Sequence, residues 1–219
     1  MNIFKKIKKK IKSVNGNSLA EFAVTTAMMA TLATTAAPRF SGIGEGAKEK
    51  KTLAEIDKII ISASNFYNDK VVAEGRGRFP GQTKYNEPVG DYSNETELLT
   101  VIGPNANNPF NLYDMAEGTK WRSIFGTNAN GASMETTNDL ETSGGDGFSK
   151  VQHDDFGATE FLHEFANNAI PSPYQDGHYI YIVLKGGQNQ DGIVCNECSP
   201  ILYVADNENP AELYKKYQP

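Results

Sequence analysis

Cysteine is scarce in this sequence: Cys195 and Cys198 are its only two among 219 residues. A lone Cys-x-x-Cys supplies half the ligands of a structural zinc site. Ser199 stands where c-type haem attachment would need a histidine. Histidine is scarce as well, with three in the chain. His163-Glu164 lacks the second histidine of a zinc-protease helix, and His153-Asp154-Asp155 reads as a solvated turn. There is no Gly-x-Ser-x-Gly, no P-loop and no paired Rossmann glycines, so the chain reads as a non-enzyme. Acid is missing from the first twelve residues, which hold Lys5, Lys6, Lys8, Lys9, Lys10 and Lys12. With a net charge of -6, the remainder is therefore markedly acidic. Such a body is unsuited to nucleic acid, whose phosphates call for basic surface.

What is present fits one domain with an ordinary core, at 39% hydrophobic and 22% charged residues. A basic stretch precedes an uncharged run from Phe22 to Pro38. That order places the basic end in the cytoplasm and reads as a transmembrane helix, since Leu19–Phe40 has about the 20 residues needed to span a bilayer. Its side chains are small: Ala20, Ala23, Ala27 and Ala30 fall near one face, where small residues let helices approach closely. Thr25, Thr26, Thr31, Thr34 and Thr35 can bond back to the preceding turn. Glu21 lies inside this apolar segment, at a cost on the order of 2.5–3.5 kcal/mol, and so marks function.

The junction Gly16-Asn17-Ser18-Leu19-Ala20-Glu21-Phe22 resembles the site cut by prepilin peptidase in type IV pilins and type II secretion pseudopilins. In that family a glycine ends a short basic leader, a glutamate is the fifth mature residue and a proline is often the twenty-second. Gly16, Glu21 and Pro38 hold those places. The first mature residue is Asn17, where the family usually has Phe or Met and methylates the new amino terminus. The Ala-rich helix is also similar to Flp and TadE-type pilins. The likeness covers roughly the first 70 residues, with the family's motif carried by residues 16–38.

The resemblance implies a leader over residues 1–16, an assembly and transmembrane helix over 17–46, and a globular pilin-like domain over 47–219. It implies cleavage between Gly16 and Asn17, and assembly through Glu21, Pro38 and the alanine face. The product would be a subunit of a pilus or pseudopilus-like filament. The alternative is a membrane-anchored periplasmic or surface binding module, minor-pilin or TadE-like, that does not polymerise by itself. Implied partners are identical or related subunits, prepilin peptidase, an inner-membrane assembly platform, and membrane lipid before assembly. The precursor would sit in the inner membrane and the filament outside the cell or in the periplasm. Some pseudopilins bind calcium near the C-terminus, which makes Asn189, Asp191 and Glu197 candidate ligands, with Asp206, Asn207 and Glu208 a second set. No other cofactor is expected. Beyond the membrane the compartment is oxidising, so Cys195 and Cys198 are expected to form a disulfide.

The remaining pattern gives an α+β fold, a long helix on a small antiparallel sheet, which agrees with a pilin. Pro38, Gly42, Gly44 and Gly46 weaken the helix and favour a kink. From Lys48 to Asp69, Leu53, Ile56, Ile60, Ala63 and Tyr67 form a stripe expected to face the sheet. Residues 81–150 read as a turn-rich surface region. Ala158–Asn168 reads as a short helix with Phe161, Leu162, Phe165 and Ala166 inward. His178–Lys185 and Pro200–Ala205 read as an antiparallel strand pair, and Pro210–Tyr217 as a terminal helical turn.

Overall fold

The computed structural model describes residues 3–102, 118–125, 152–153, 155–174 and 178–219, and side chains in 3–21, 31–43, 152–153 and 155 lie outside that description. The chain divides into two compact units, Met1–Ala47 and Lys48–Pro219. Helix α1 covers Ile3–Glu74. Pro38 and the nearby glycines do not interrupt its helical backbone. A single proline removes one hydrogen bond and each glycine costs about 1 kcal/mol, which weakens a helix without ending it. The end comes at Gly75, whose φ of 79° is the left-handed conformation of a helix C-cap, with its N–H bonded to the Val71 carbonyl at 3.0 Å.

Among the described residues of the second unit, the sheet has five strands: β1 (Arg122–Ser123), β2 (Gln152–His153), β3 (Tyr179–Leu184), β4 (Ile201–Asp206) and β5 (Tyr214–Tyr217). Their spatial order is β2-β1-β3-β4-β5. All neighbouring pairs are antiparallel except β1 with the short β2. Two short helices complete the described elements, α2 (Glu95–Leu99) and α3 (Asp155–Glu164).

Every residue of β3 and β4 is buried. The two-residue period of a strand then divides them between two cores. Tyr179, Tyr181, Val183, Leu202 and Val204 face Ile56, Ile59 and Ala63 of α1, together with Phe161 of α3. Ile180, Ile182, Leu184, Ile201, Tyr203 and Ala205 face Tyr92, Leu98, Val101, Ile102 and Trp121. The sheet is covered on both faces, which is why its central strands carry no polar alternation.

Three expectations need correction. The region 81–150 is not all surface: within its short apolar islands, Leu98–Ile102 and Trp121–Phe125, Leu98, Ile102 and Trp121 are fully buried as the cover of the second face. Pro210–Tyr217 is not helical at its end, because Tyr214–Tyr217 pairs with the edge of β4. There Ser64 and Tyr217 share a hydroxyl hydrogen bond of 2.7 Å, and Lys215 pairs with Asp57, so α1 holds the strand. Ala166 is exposed and left-handed, φ 51°, in the turn that closes α3.

Candidate functional site

From Phe22 to Ala30, helix α1 is exposed at every residue, including Ala23, Ala27 and Ala30. Phe22, Val24, Met28 and Met29 are 72%, 53%, 61% and 71% accessible. Thr25 and Thr26 donate their hydroxyls to the Phe22 carbonyl at 2.9 and 2.6 Å, so two potentially polar side chains are folded onto the backbone. Gly16, Asn17, Ala20, Glu21 and Pro38 lie on the helical backbone of α1, with their side chains outside the described residues.

The transmembrane expectation is overturned: among the described residues, no helix is long and apolar enough to cross a membrane. Alanine and threonine occupy the positions where leucine, isoleucine or valine would supply hydropathy, and Glu21 and Arg39 add charge at the two ends of Leu19–Phe40. Helical length alone does not make a span.

Residues 185–200 join β3 to β4. The Cys195–Cys198 disulfide has an S–S distance of 2.08 Å and a Cα–Cα distance of 5.4 Å. Backbone bonds brace it: Gly187 N–H donates to Cys198 O at 2.8 Å, Cys195 N–H to Gly187 O at 2.9 Å and Cys198 N–H to Cys195 O at 3.2 Å. Beyond it, Ile193 and Val194 are 64% and 82% accessible.

Of the calcium candidates, Asn189, Asp191 and Asp206 are engaged in other hydrogen bonds. Asn189 Oδ1 accepts the N–H groups of Asp191 and Ile193 at 3.1 and 2.9 Å, which fixes the turn. Asp191 accepts a 3.4 Å bond from Thr96, and Glu197 is exposed in the disulfide loop. In the second set, Asp206 is fully buried and accepts from Ser172 Oγ at 2.7 Å and from the Glu208 N–H at 2.9 Å. Burial pushes its carboxyl up to about 6, against the opposing pull of those bonds. No group of three or more His, Cys, Asp or Glu side chains among the described residues is placed to hold a metal ion.

Two polar assemblies have no signal in the sequence. Buried Glu95 accepts hydrogen bonds from Tyr203 and, at 2.6 Å, from Lys216 Nζ. Burial first, and the Glu95 carboxylate second, raise the Tyr203 phenol. Arg78 pairs with Glu160 at 3.0 Å and Glu74 at 3.1 Å, and donates to the Gln82 carbonyl at 2.9 Å. The Glu95 cluster and the Arg78–Glu160 pair join residues far apart in the chain, so no local spacing announces them. The motif-free length of this domain has a counterpart in the comparisons: no protein-family model, curated protein or solved structure matches the chain.

Proposed function

We propose that this chain is a structural subunit of a type IV pilus or pseudopilus-like filament, cut between Gly16 and Asn17 and assembled through residues 17–46. Its role is architectural rather than catalytic. One observation carries the reading: an uncharged helical segment, Phe22–Ala30, exposed at every residue. Contiguous exposed apolar surface marks an interaction site, and its small residues suit close helix–helix contact. The α+β domain, with a dominant helix against an antiparallel sheet, is of the kind a pilin fold requires. The spacing of Gly16, Glu21 and Pro38 adds the cleavage and register signals.

In this scheme the lysine leader keeps the precursor at the inner membrane, where prepilin peptidase and the assembly platform act on it. Lipid is contacted before assembly, and the filament is extracellular or periplasmic. The test is to purify filaments, image them and sequence their subunit by mass spectrometry. Mature chains are expected to begin at Asn17. Assembled chains that still begin at Met1 would overturn the reading.

A further inference from the structure

A cavity of about 250 Å³ lies in the second unit, between the end of α1 and the disulfide loop. At about 30 Å³ per water it holds roughly eight water volumes, enough for a small metabolite. Tyr67, Arg76 and Tyr85 line one side, and Asn196, Glu197 and Cys198 come from the loop.

Its walls are fixed by independent devices. A Cβ at Gly77 would lie 2.2 Å from the Tyr67 ring, so only glycine lets the ring sit there. The Tyr85 carbonyl receives the Gly186 N–H at 2.8 Å, and a Cβ at Gly186 would meet the Tyr85 ring at 2.9 Å. The loop wall is closed by the Cys195–Cys198 disulfide and by two backbone bonds to Gly187. Preformed walls reduce the entropy lost when a ligand is ordered.

The two arginines beyond the end of α1 are set out differently. Arg78, two residues from Arg76, is bound by two carboxylates and a carbonyl. Arg76 instead stacks on the Tyr85 ring, 4.3 Å from its centroid, a contact that leaves the edge of the guanidinium open. Among the described residues, Arg76 and Glu197 form no ion pair or hydrogen bond, with each other or with another side chain. One cavity thus offers a flat cation from one wall and an anion from the other, with Tyr67, Val71 and Pro200 as apolar surface beside them.

We propose that this cavity binds a small zwitterion of the α-amino-acid type, its carboxylate on Arg76, its ammonium on Glu197 and an apolar side chain against Tyr67 and Val71. Guanidinium and carboxylate match bidentately, and the three donors of an ammonium suit a carboxylate partner. An anion alone would meet Glu197, and a cation alone would meet Arg76. The molecule that satisfies both carries both charges. Because the site is open to solvent, affinity is expected on the order of 1 mM.

The proposal does not depend on the filament reading, and its test needs only the full chain in solution. Amide resonances are followed by NMR while the twenty amino acids are added singly, with N-acetyl and carboxamide derivatives of any that bind. A tripeptide with free termini carries the same two charges further apart and separates a free amino acid from a peptide. The expected result is saturable shifts at Gly75–Gly77 and Asn196–Ser199 with at least one apolar amino acid, and none with the blocked derivatives or the tripeptide. Arg76→Gln and Glu197→Gln should each weaken binding ~10-fold or more, the loss of one charged hydrogen-bonded contact, while lowering the melting temperature by no more than about 4 °C. Absence of saturable shifts with every amino acid overturns the proposal. So does undiminished binding after either charge is blocked on the ligand or removed from the protein.

Discussion

Asp206 sits at the end of β4 with no exposed surface, and burial holds its carboxyl at about 6 against 3.8 in an open chain. The folded state therefore holds this proton more tightly than the unfolded state. Its contribution to stability is complete below pH 4 and is lost as the pH rises through about 6. That difference in proton affinity is worth about 3 kcal/mol at most. Glu97 runs the other way: the Ser93 N–H, at 2.9 Å, lowers its carboxyl, so its contribution is present above the ordinary glutamate range and lost as the pH falls. Asp206→Asn removes the first effect and leaves the second. Urea denaturation between pH 4 and 7 should show the advantage of the native chain over the variant shrinking as the pH rises. A pH-independent gap would contradict this account. At Gly77 the constraint is steric: alanine there would displace the Tyr67 ring, which packs on Phe79 at 5.2 Å between centroids. Gly77→Ala is expected to cost about 1–3 kcal/mol by the same measurement.

Elements were legible in the sequence where one segment bears its own signal. The stripe of Ile56, Ala63 and their neighbours announced the buried face of α1, and the unbroken apolar runs of β3 and β4 announced the central strands. Strand β5 was not legible, because Tyr-Lys-Lys-Tyr has neither alternation nor an apolar run and forms by pairing with an existing edge. The second core was hidden for a related reason. Its cover, Tyr92, Leu98 and Trp121, is scattered through polar sequence and makes sense only against a sheet apolar on both faces. The same holds for the cavity, whose Tyr67 and Glu197 lie far apart in the chain. Arg78 is the tie between the end of α1 and α3, since it bonds Glu160, whose other oxygen accepts the Gly81 N–H at 2.8 Å. Arg78→Ala should destabilise the domain by about 3 kcal/mol, because the largely buried Glu160 carboxylate loses its cation, whereas Glu74 keeps Lys70 at 3.2 Å. Glu160→Gln added to that variant should recover part of the loss in a denaturation series. The disulfide closes too short a loop for a large effect. Chain entropy gives about 2 kcal/mol, so Cys195→Ser with Cys198→Ser is expected to lower stability by that amount and to leave the fold intact.

At the scale of the whole molecule, the proposed filament turns on Glu21, the one carboxylate between Met1 and Pro38. Cleavage after Gly16 would create a positive amine on Asn17, about 6 Å away along a helix that rises 1.5 Å per residue. In the proposed filament, where helices would associate through the exposed Phe22–Ala30 segment, both charges would leave water. An unpaired buried charge costs several kcal/mol more than a paired one. Pairing within one chain would satisfy both groups and guide nothing. Pairing between staggered chains, the amine of one beside Glu21 of the next, would satisfy them and set the axial register, with alanines supplying close approach. The register, rather than the attraction, is what an apolar and nearly featureless helix surface cannot specify by itself. Glu21→Gln keeps the size of the side chain and removes its charge. That variant should still lose its leader, as mass spectrometry of the subunit would show, but should assemble into far fewer filaments by electron microscopy. Normal filament yield, with the glutamine-bearing subunit identified inside the filaments, would defeat the charge-pair mechanism while leaving the helix-mediated assembly to be explained by packing alone.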